Sequence, residues 1–502
     1  MTGMAKRIPL GLLLWLAVGQ AQDRLDLVLA GGRVMDPESG LDAVRYVGIR
    51  AGKIAAISES PLTGSQVLDV RGRVVAPGFI DLHAHGQDLE SSRWQAHDGV
   101  TTALELEGGA FPIDAWYAER EGKARIHYGA SIGHIPVRAA ALLGEASGAL
   151  GTEERLRAAS EELTQAAHRA ATTAEMASME ALLRQGLDQG GLGIGMGIAY
   201  VPGATREEIY RIFKIAAERK VTLFVHVRYA GQVEPGSSVE AIDEMIANAA
   251  ATGASVHIVH IGSSGLRQVP LVLDLIQGAR QRGLDVTTEV YPYTAASTGI
   301  QSAIFDEGWR ERLGADYGDL EWVATGQRLN AESFARYRKE GGIITAHIIP
   351  EQMVEVAVPH PMVLIASDGV PFIDGRAHPR GAGTFARVLG RYVREKRTLS
   401  LMDALGKMTV MPAERLAPFV PEMRGKGRIK VGADADLTVF DAAQVIDRAT
   451  FAEPAQASAG IVHVIVTGTF VVKDGALIDG ARPGRPIRRR ASWVFDRWRA
   501  LT

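Results

Sequence analysis

The sequence predicts an α/β fold: a (β/α)8 barrel of the TIM-like kind, with a small β-sandwich domain split between the N- and C-terminal segments. Three observations lead there. From about residue 78, eight short apolar segments alternate with helical periodicity: GFIDLHAH, TTALELE, IHYGASIGH, GIGMGIAY, TLFVHVRY, SVHIVHIG, VTTEVYPY and MVLIASDG. Parallel strands joined by helices give this rhythm. Nearly every segment ends in His, Asp, Glu or Tyr. The alternation alone also suits an open doubly wound sheet, but polar strand ends gathered at one rim favour the barrel, which carries its sites at the C-terminal face. Glycine-punctuated β patterns flank the barrel on both sides.

The elements follow in order. Residues 1–21 read as a secretory signal peptide. Lys6 and Arg7 precede an apolar run over 8–18 that is too short to span a bilayer comfortably. Gly19-Gln20-Ala21 offers small residues for cleavage, so the mature chain is expected to start near Gln22, periplasmic or secreted, with no stable membrane anchor. Residues 22–75 (LDLVLAGGRVMD, RYVGIRAGKIAAIS, SQVLDVRGRVVAPG) read as strands and hairpins turning at Gly, the first part of the sandwich. Residues 76–426 form the barrel, with helices expected over 206–220, 239–252 and 403–416. Within it, 294–361 is long for one βα connection and reads as an insertion at the active rim, a lid or substrate-binding element. The β pattern returns in GRIKVGADADLTVFD and GIVHVIVTGTFVVKDGAL, the second part of the sandwich over 427–485. Residues 486–502 read as a solvated tail.

A chain of 502 residues exceeds one ordinary core, in keeping with a large and a small domain. Its 46% hydrophobic and 23% charged residues are the usual globular mixture. A net charge of −3 and the absence of a dense Lys/Arg segment argue against nucleic acid as a partner. There is no cysteine, which suits an oxidising compartment and removes disulfides, thiolate ligands and thiolate nucleophiles.

The stretch GVTTALELEGG raises a chemical question, because Glu105 and Glu107 share one face of an otherwise apolar strand. Buried carboxylates need a partner, either a basic side chain or a metal ion. His83 and His85, two apart at the end of the first barrel strand, point the same way and suit chelation. His226 and His260 stand late in the fifth and sixth strands and Asp368 ends the eighth, so a closed sheet brings all five into one pocket. Neutral imidazole and carboxylate suit zinc, as one or two ions.

PGFIDLHAHG, the two later histidines and SDG at strand eight resemble the amidohydrolase superfamily, as does the split β domain. Within it the chain resembles the N-acyl-D-amino-acid deacylases, or D-aminoacylases, through LAGGRVMDPESG, GVTT, GHIPVR, TEVYPYTAAST, IASDG, HPRGAGTFARVLGRYVRE, KMTVMPAERL, GRIKVGADADLTVFD and GARPGR. The resemblance implies a hydrolase of a linear amide C–N bond that deacylates N-acyl amino acids of D configuration. His83 and His85 would hold the more buried metal position and His226 and His260 the second. Asp368 would be the general base for a metal-activated water. The chain departs from the family at LELEGG, where D-aminoacylases carry an Asn-Cys-Gly element whose cysteine ligates metal. Other amidohydrolases use a carboxylated lysine at the end of strand four as the bridge, and no lysine stands there. Glu107, one position before the expected cysteine, is the expected ligand, bridging two ions if two are bound; Glu105, about 6 to 7 Å deeper at strand rise, is the alternative.

Candidate substrate contacts are Tyr291 and Tyr293 of YPY, Arg380 of HPR with Arg376 nearby, and Arg228 beyond His226. An arginine pairs bidentately with a carboxylate. His134 and Arg138 match a family element. Gly262 stands where many relatives have a lysine, which argues against an acidic side chain on the substrate. His257 and His347 read as structural. The alternative activity is metal-dependent hydrolysis of cyclic amides, lactones or short peptides on the same scaffold, because function on such barrels lies in the loops.

Overall fold

The computed structural model describes residues 24–149 and 160–490, so the expected signal peptide and residues 491–502 lie outside the described residues. In chain order, β1 (Leu25–Asp36), β2 (Leu41–Arg50), β3 (Lys53–Ser58), β4 (Gly64–Asp69) and β5 (Val74–Pro77) open the small domain. Its other part returns after the barrel as four strands running from Leu437–Phe440 to Ala476–Leu477. The two parts meet where Leu437–Phe440 pairs antiparallel with β5, making one nine-stranded sheet from both ends of the chain. Apolar side chains from both parts, among them Leu29, Val47, Ile49, Leu437 and Ile465, share one core.

The barrel strands are β6 (Phe79–Asp81), β7 (Val100–Ala110), β8 (His127–Gly133), β9 (Ile194–Gly197), β10 (Thr222–His226), β11 (Ser255–Ile258), β12 (Val286–Val290) and an eighth, Val363–Ile365. They pair in parallel and in sequence order. The ring closes just beyond the two end strands, where Ala84 bridges Gly369 and the His85 N–H donates to Gly369 O at 2.8 Å. These strands are buried almost throughout, as expected of parallel strands covered on both faces. The expected α/β barrel with a split β domain is the observed fold.

Local signals explain the helices. Arg206–Arg219 starts at Thr205, whose side chain accepts from the Glu208 N–H, and buries Ile209, Ile212, Phe213 and Ala216. Ser238–Thr252 is capped likewise by Ser237 and ends at Gly253 in the left-handed region. The helix expected over 403–416 is instead two, Leu401–Met408 and Val410–Leu416, broken at Thr409. Pro412 has no N–H to give the Met408 carbonyl and its ring crowds it, which breaks the turn.

The insertion forms β13 (Ala296–Gly299), β14 (Leu320–Trp322), β15 (Gln327–Arg328) and β16 (Ile343–Ala346) around its own cluster of Phe305, Trp309, Leu320 and Ile344. The tail is a correction. Residues 486–490 are docked rather than solvated: Tyr117 Oη donates to Ile487 O at 2.7 Å, the Ile487 N–H donates to Tyr128 O, and Arg488 stacks on Tyr117. Ile487 is an isolated apolar residue among arginines, too weak a pattern to read. Among the described residues, no helix is long and apolar enough to cross a membrane.

Candidate metal centre and active site

The strand ends deliver their polar side chains to one cleft. Beyond β6 the chain stays extended, so His83 and His85 face the same way. β7 supplies Glu105 and Glu107, and its register against β8 breaks after Glu105. Gly109 (φ 63°) makes that break feasible, since a Cβ there would lie 2.6 Å from the backbone of Gly133. His226 ends β10. His260 and Asp368 follow β11 and the eighth strand with left-handed backbones, φ 35° and 51°. Non-glycine residues hold such conformations at a cost of about 1–3 kcal/mol, typically at functional sites.

Two groups of donors result. One oxygen or nitrogen from each of His83, His85 and Asp368 lies within 4.8 Å of the others, and the same holds for Glu107, His226 and His260. Glu107 stands between the groups. Its Oε2 is 3.2 Å from His85 Nε2 and 3.6 Å from His83 Nε2, and its Oε1 is 3.1 Å from His226 Nδ1 and 3.9 Å from His260 Nε2. Glu105 lies behind His85, with Oε2 2.9 Å from Nδ1, and accepts from the Gly108 N–H. Asp368 Oδ1 is 3.4 Å from both His83 Nε2 and His85 Nε2.

This donor set fits a divalent cation. Imidazole nitrogens face each other twice, His83 Nε2 to His85 Nε2 at 3.1 Å and His226 Nδ1 to His260 Nε2 at 3.0 Å. Each pair brings two potential ligand nitrogens to one spot, which a shared cation would coordinate together. Glu105, Glu107, Glu289 and Asp368 all touch these histidines. Among the described residues, Arg380 is the one arginine or lysine paired with any of them, at 2.9 Å from Asp368. Burial pushes the His83 imidazole down, yet Asp368 and Glu289 outweigh it and hold it up at about 10. Burial pushes the Asp368 and Glu107 carboxyls up, but Arg380 and His83 around the first and the histidines around the second hold both below the carboxylate range.

Of the expected substrate contacts, Arg380 is buried against Asp368 and over the Tyr291 ring, with Nε and Nη1 making no hydrogen bond. Three others are engaged by the protein: Arg228 lines the cleft but is held, and Tyr293 and Arg376 lie outside its lining. Arg228 is paired through two nitrogens with Glu244, each at 2.9 Å. Tyr293 reaches Asp447 and lies under Arg387. Arg376 donates to Ala452 O on a loop outside the cleft. In each case a nearby acceptor or cation, invisible to local pattern, claims the side chain. His134 and Arg138 meet the buried Glu208, at 2.7 and 3.0 Å. His347 pairs with Glu321 and His257 with Glu289, both in structural settings. Gly262 faces Val290 and Ile349.

Two functional candidates were not singled out from the sequence. Glu289 Oε1 lies 2.6 Å from His83 Nδ1 and Oε2 3.0 Å from His257 Nε2. Its signal was the same as that of Glu107, a carboxylate in an apolar strand. Tyr200, just after β9, packs edge-on against His226 and accepts from Thr298 Oγ1 at 3.1 Å, which leaves its own O–H free to donate. Burial pushes its phenol far up, and Glu107 adds to the shift, so it stays protonated.

An eight-stranded barrel presenting histidine and carboxylate ligand sets at its C-terminal rim defines the class of metal-dependent hydrolases. Comparison with known proteins narrows the class. Residues 66–472 match the model of the amidohydrolase family. The chain is 33% identical to the N-acyl-D-glutamate deacylase of Alcaligenes xylosoxydans xylosoxydans, over 94% of this chain and 98% of that protein. It is 30% identical to the D-aminoacylase of the same organism, over 93% and 98%. Among solved structures, the N-acyl-D-glutamate deacylase of Bordetella bronchiseptica, complexed with zinc and a phosphonate mimic of the tetrahedral intermediate, superposes with a TM-score of 0.76 at 27% identity, covering 93% of this chain and all of that one. The chain belongs to the amidohydrolase family, and the resemblance read from its motifs is borne out.

Proposed function

We propose that this enzyme deacylates N-acyl-D-amino acids with zinc held by His83, His85, Glu107, His226 and His260. The observation that carries the reading is the position of Glu107 among four histidines, beside Asp368, at the base of a cleft of about 570 Å³. The D configuration and the zinc are supported by the relatives and the solved structure named above. Zinc bound there would lower the pKa of a coordinated water towards about 7 and would polarise the scissile carbonyl.

The chain's own groups do the rest. Asp368 takes the proton of the attacking water and delivers it to the amine nitrogen as the C–N bond breaks. Tyr200 donates its O–H to the carbonyl oxygen as charge develops there. Glu289 and Glu105 hold His83 and His85 by their Nδ1 atoms, so both present Nε2 to the cleft. Arg380, wholly buried, pairs with Asp368 Oδ1 at 2.9 Å and helps keep that carboxylate ionised. Export by residues 1–21 to the periplasm or beyond is part of the proposal, and N-terminal sequencing of the processed chain should begin near Gln22.

A hydrolysis screen of paired D and L N-acyl amino acids with zinc-loaded enzyme tests the activity. Turnover of the D series is expected. Failure of both series, with turnover of cyclic amides or lactones, would replace the substrate class.

A further inference from the structure

The small domain reaches the active site by a detour of its chain. Its strands Leu437–Phe440 and Ile461–Val466 are antiparallel neighbours, with Phe440 opposite Ile461. A two-residue turn suffices to join such a pair. The connection is instead residues 441–460, which form no helix or strand of their own. Loops longer than about 12–15 residues without such structure are uncommon in compact domains and are usually functional.

This segment leaves its sheet and lies along the helix Arg380–Arg387 and its continuation Val388–Glu395. The approach is close enough to require glycine. A Cβ on Gly383 would stand 2.6 Å from Asp447 Cβ, and one on Gly390 2.8 Å from Val445 O. Asp447 Oδ2 accepts from Arg387 Nη1 at 2.9 Å, and Arg387 Nε donates to Pro292 O at 2.8 Å. Ser458 Oγ donates at 2.8 Å to the buried Asp98, which also accepts from the Phe385 and Ala386 N–H groups. The helix that begins with Arg380 is therefore held by the small domain.

Phe451 carries this hold to the site. Its ring stands edge-on to His378, with centroids 5.0 Å apart, and 4.7 Å from His347 of the insertion. One side chain of the small domain thus touches both the barrel and the insertion. His378 in turn is a two-ended pin. Its Nδ1 accepts from the Arg380 N–H at 3.1 Å, so its proton is on Nε2, which donates to Ala295 O at 3.0 Å. Burial, with Arg380 beside it, holds this imidazole well below its usual range, so it stays neutral. Arg380 Nη2 then reaches Asp368 Oδ1 at 2.9 Å.

Resting on the amide-hydrolase reading above, we propose that 441–460 is a positioning segment of the active site and Phe451 a positioning residue, which sets the place of Asp368 through His378 and Arg380. Misplacing a reacting group by about 1 Å can cost about a hundredfold in rate. Phe451 does not line the cleft, so its loss should act on kcat far more than on KM.

The test uses full-length, zinc-loaded enzyme and the N-acyl-D-amino acid it turns over fastest. Phe451 is half-buried, so Phe451→Ala should fold. It should lower kcat about ten- to a hundredfold with KM within about threefold and zinc content unchanged. Phe451→Tyr, which keeps the ring against His378, should restore kcat to within about threefold of the parent. Arg448→Ala, at an exposed position of the same segment, should leave kcat unchanged. Phe451→Ala with the parent's kcat, even at a lowered unfolding midpoint, would confine the residue to stability and overturn the inference. Equal losses in Phe451→Ala and Arg448→Ala would overturn it too, by pointing to general loosening. If Phe451→Ala does not fold, Phe451→Leu replaces it with the same outcomes. If the parent turns over no N-acyl amino acid, the amide-hydrolase reading fails, and a crystal structure of the variant decides the positioning. The Arg380–Asp368 contact should then open beyond about 3.5 Å; a contact kept at the parent distance would overturn the inference.

Discussion

Replacing Glu289 with glutamine removes one charge and keeps the shape. Both oxygens of Glu289 are engaged in a fully buried setting, Oε1 by His83 Nδ1 at 2.6 Å and Oε2 by His257 Nε2 at 3.0 Å. The shorter contact is a charge-assisted bond that fixes the proton on Nδ1 and leaves the Nε2 lone pair facing the cleft. Glutamine offers one acceptor. If its oxygen stays on His83, that bond falls to about half its strength. If its amide nitrogen turns there, the proton moves to Nε2 and obstructs coordination. Losing such an outer partner costs about 10- to 100-fold in metal affinity, or about 1.4–2.7 kcal/mol. His257 can adjust by exchanging tautomers, because Thr287 Oγ1, 2.7 Å from its Nδ1, both donates and accepts. The metal-free fold should therefore lose less than about 1.5 kcal/mol. Competition of zinc between the enzyme and a chromophoric chelator reads the affinity, and thermal unfolding of the metal-free protein reads the fold. An intact variant that binds zinc within twofold of the parent would refute the reasoning.

The other expectations concern the base, the ion and the buried Glu208. Asp368→Asn, assayed at saturating zinc, should lower kcat by about 10²- to 10⁴-fold; survival of most of the activity would identify another base. Chelation should abolish turnover and zinc should restore it. The unfolding midpoint should fall with the metal, since a ligand at about a thousand times its Kd contributes about 4 kcal/mol. A chelated enzyme with full activity would exclude metal catalysis. Glu208→Ala strands the buried Arg138 and His134 and should cost about 3–5 kcal/mol in urea unfolding. A loss under 1 kcal/mol would show that water or another group compensates.

The fold was legible because parallel strands are continuous apolar runs, and because the polar residue ending each one marks the rim. The candidate ligands were legible for a like reason: His83, His85, His226, His260 and Asp368 end or follow a strand, and Glu107 lies near the end of β7. Glu289 carried the same signal but was hidden inside a motif read for its tyrosines. What the sequence did not reveal depends on partners far along the chain. Glu244 engages Arg228, Asp447 and Arg387 engage Tyr293, and Tyr117 and Tyr128 draw Ile487 and Arg488 onto the barrel. The insertion was legible as a departure from normal connection length, but its four-stranded sheet was not, because its strands run only two to four residues.

The role of Glu107 stands at the centre of the site, since a chain without cysteine and without a lysine to carboxylate at the end of β9 must find its anionic ligand elsewhere. A zinc-edge anomalous difference map from crystals of the zinc-loaded enzyme tests it most directly. The expected result is zinc within about 2.0–2.2 Å of a Glu107 oxygen, with His83 and His85 or His226 and His260 completing its shell. Zinc held by the histidines with Glu107 out of reach, or by Glu105 in its place, would contradict it.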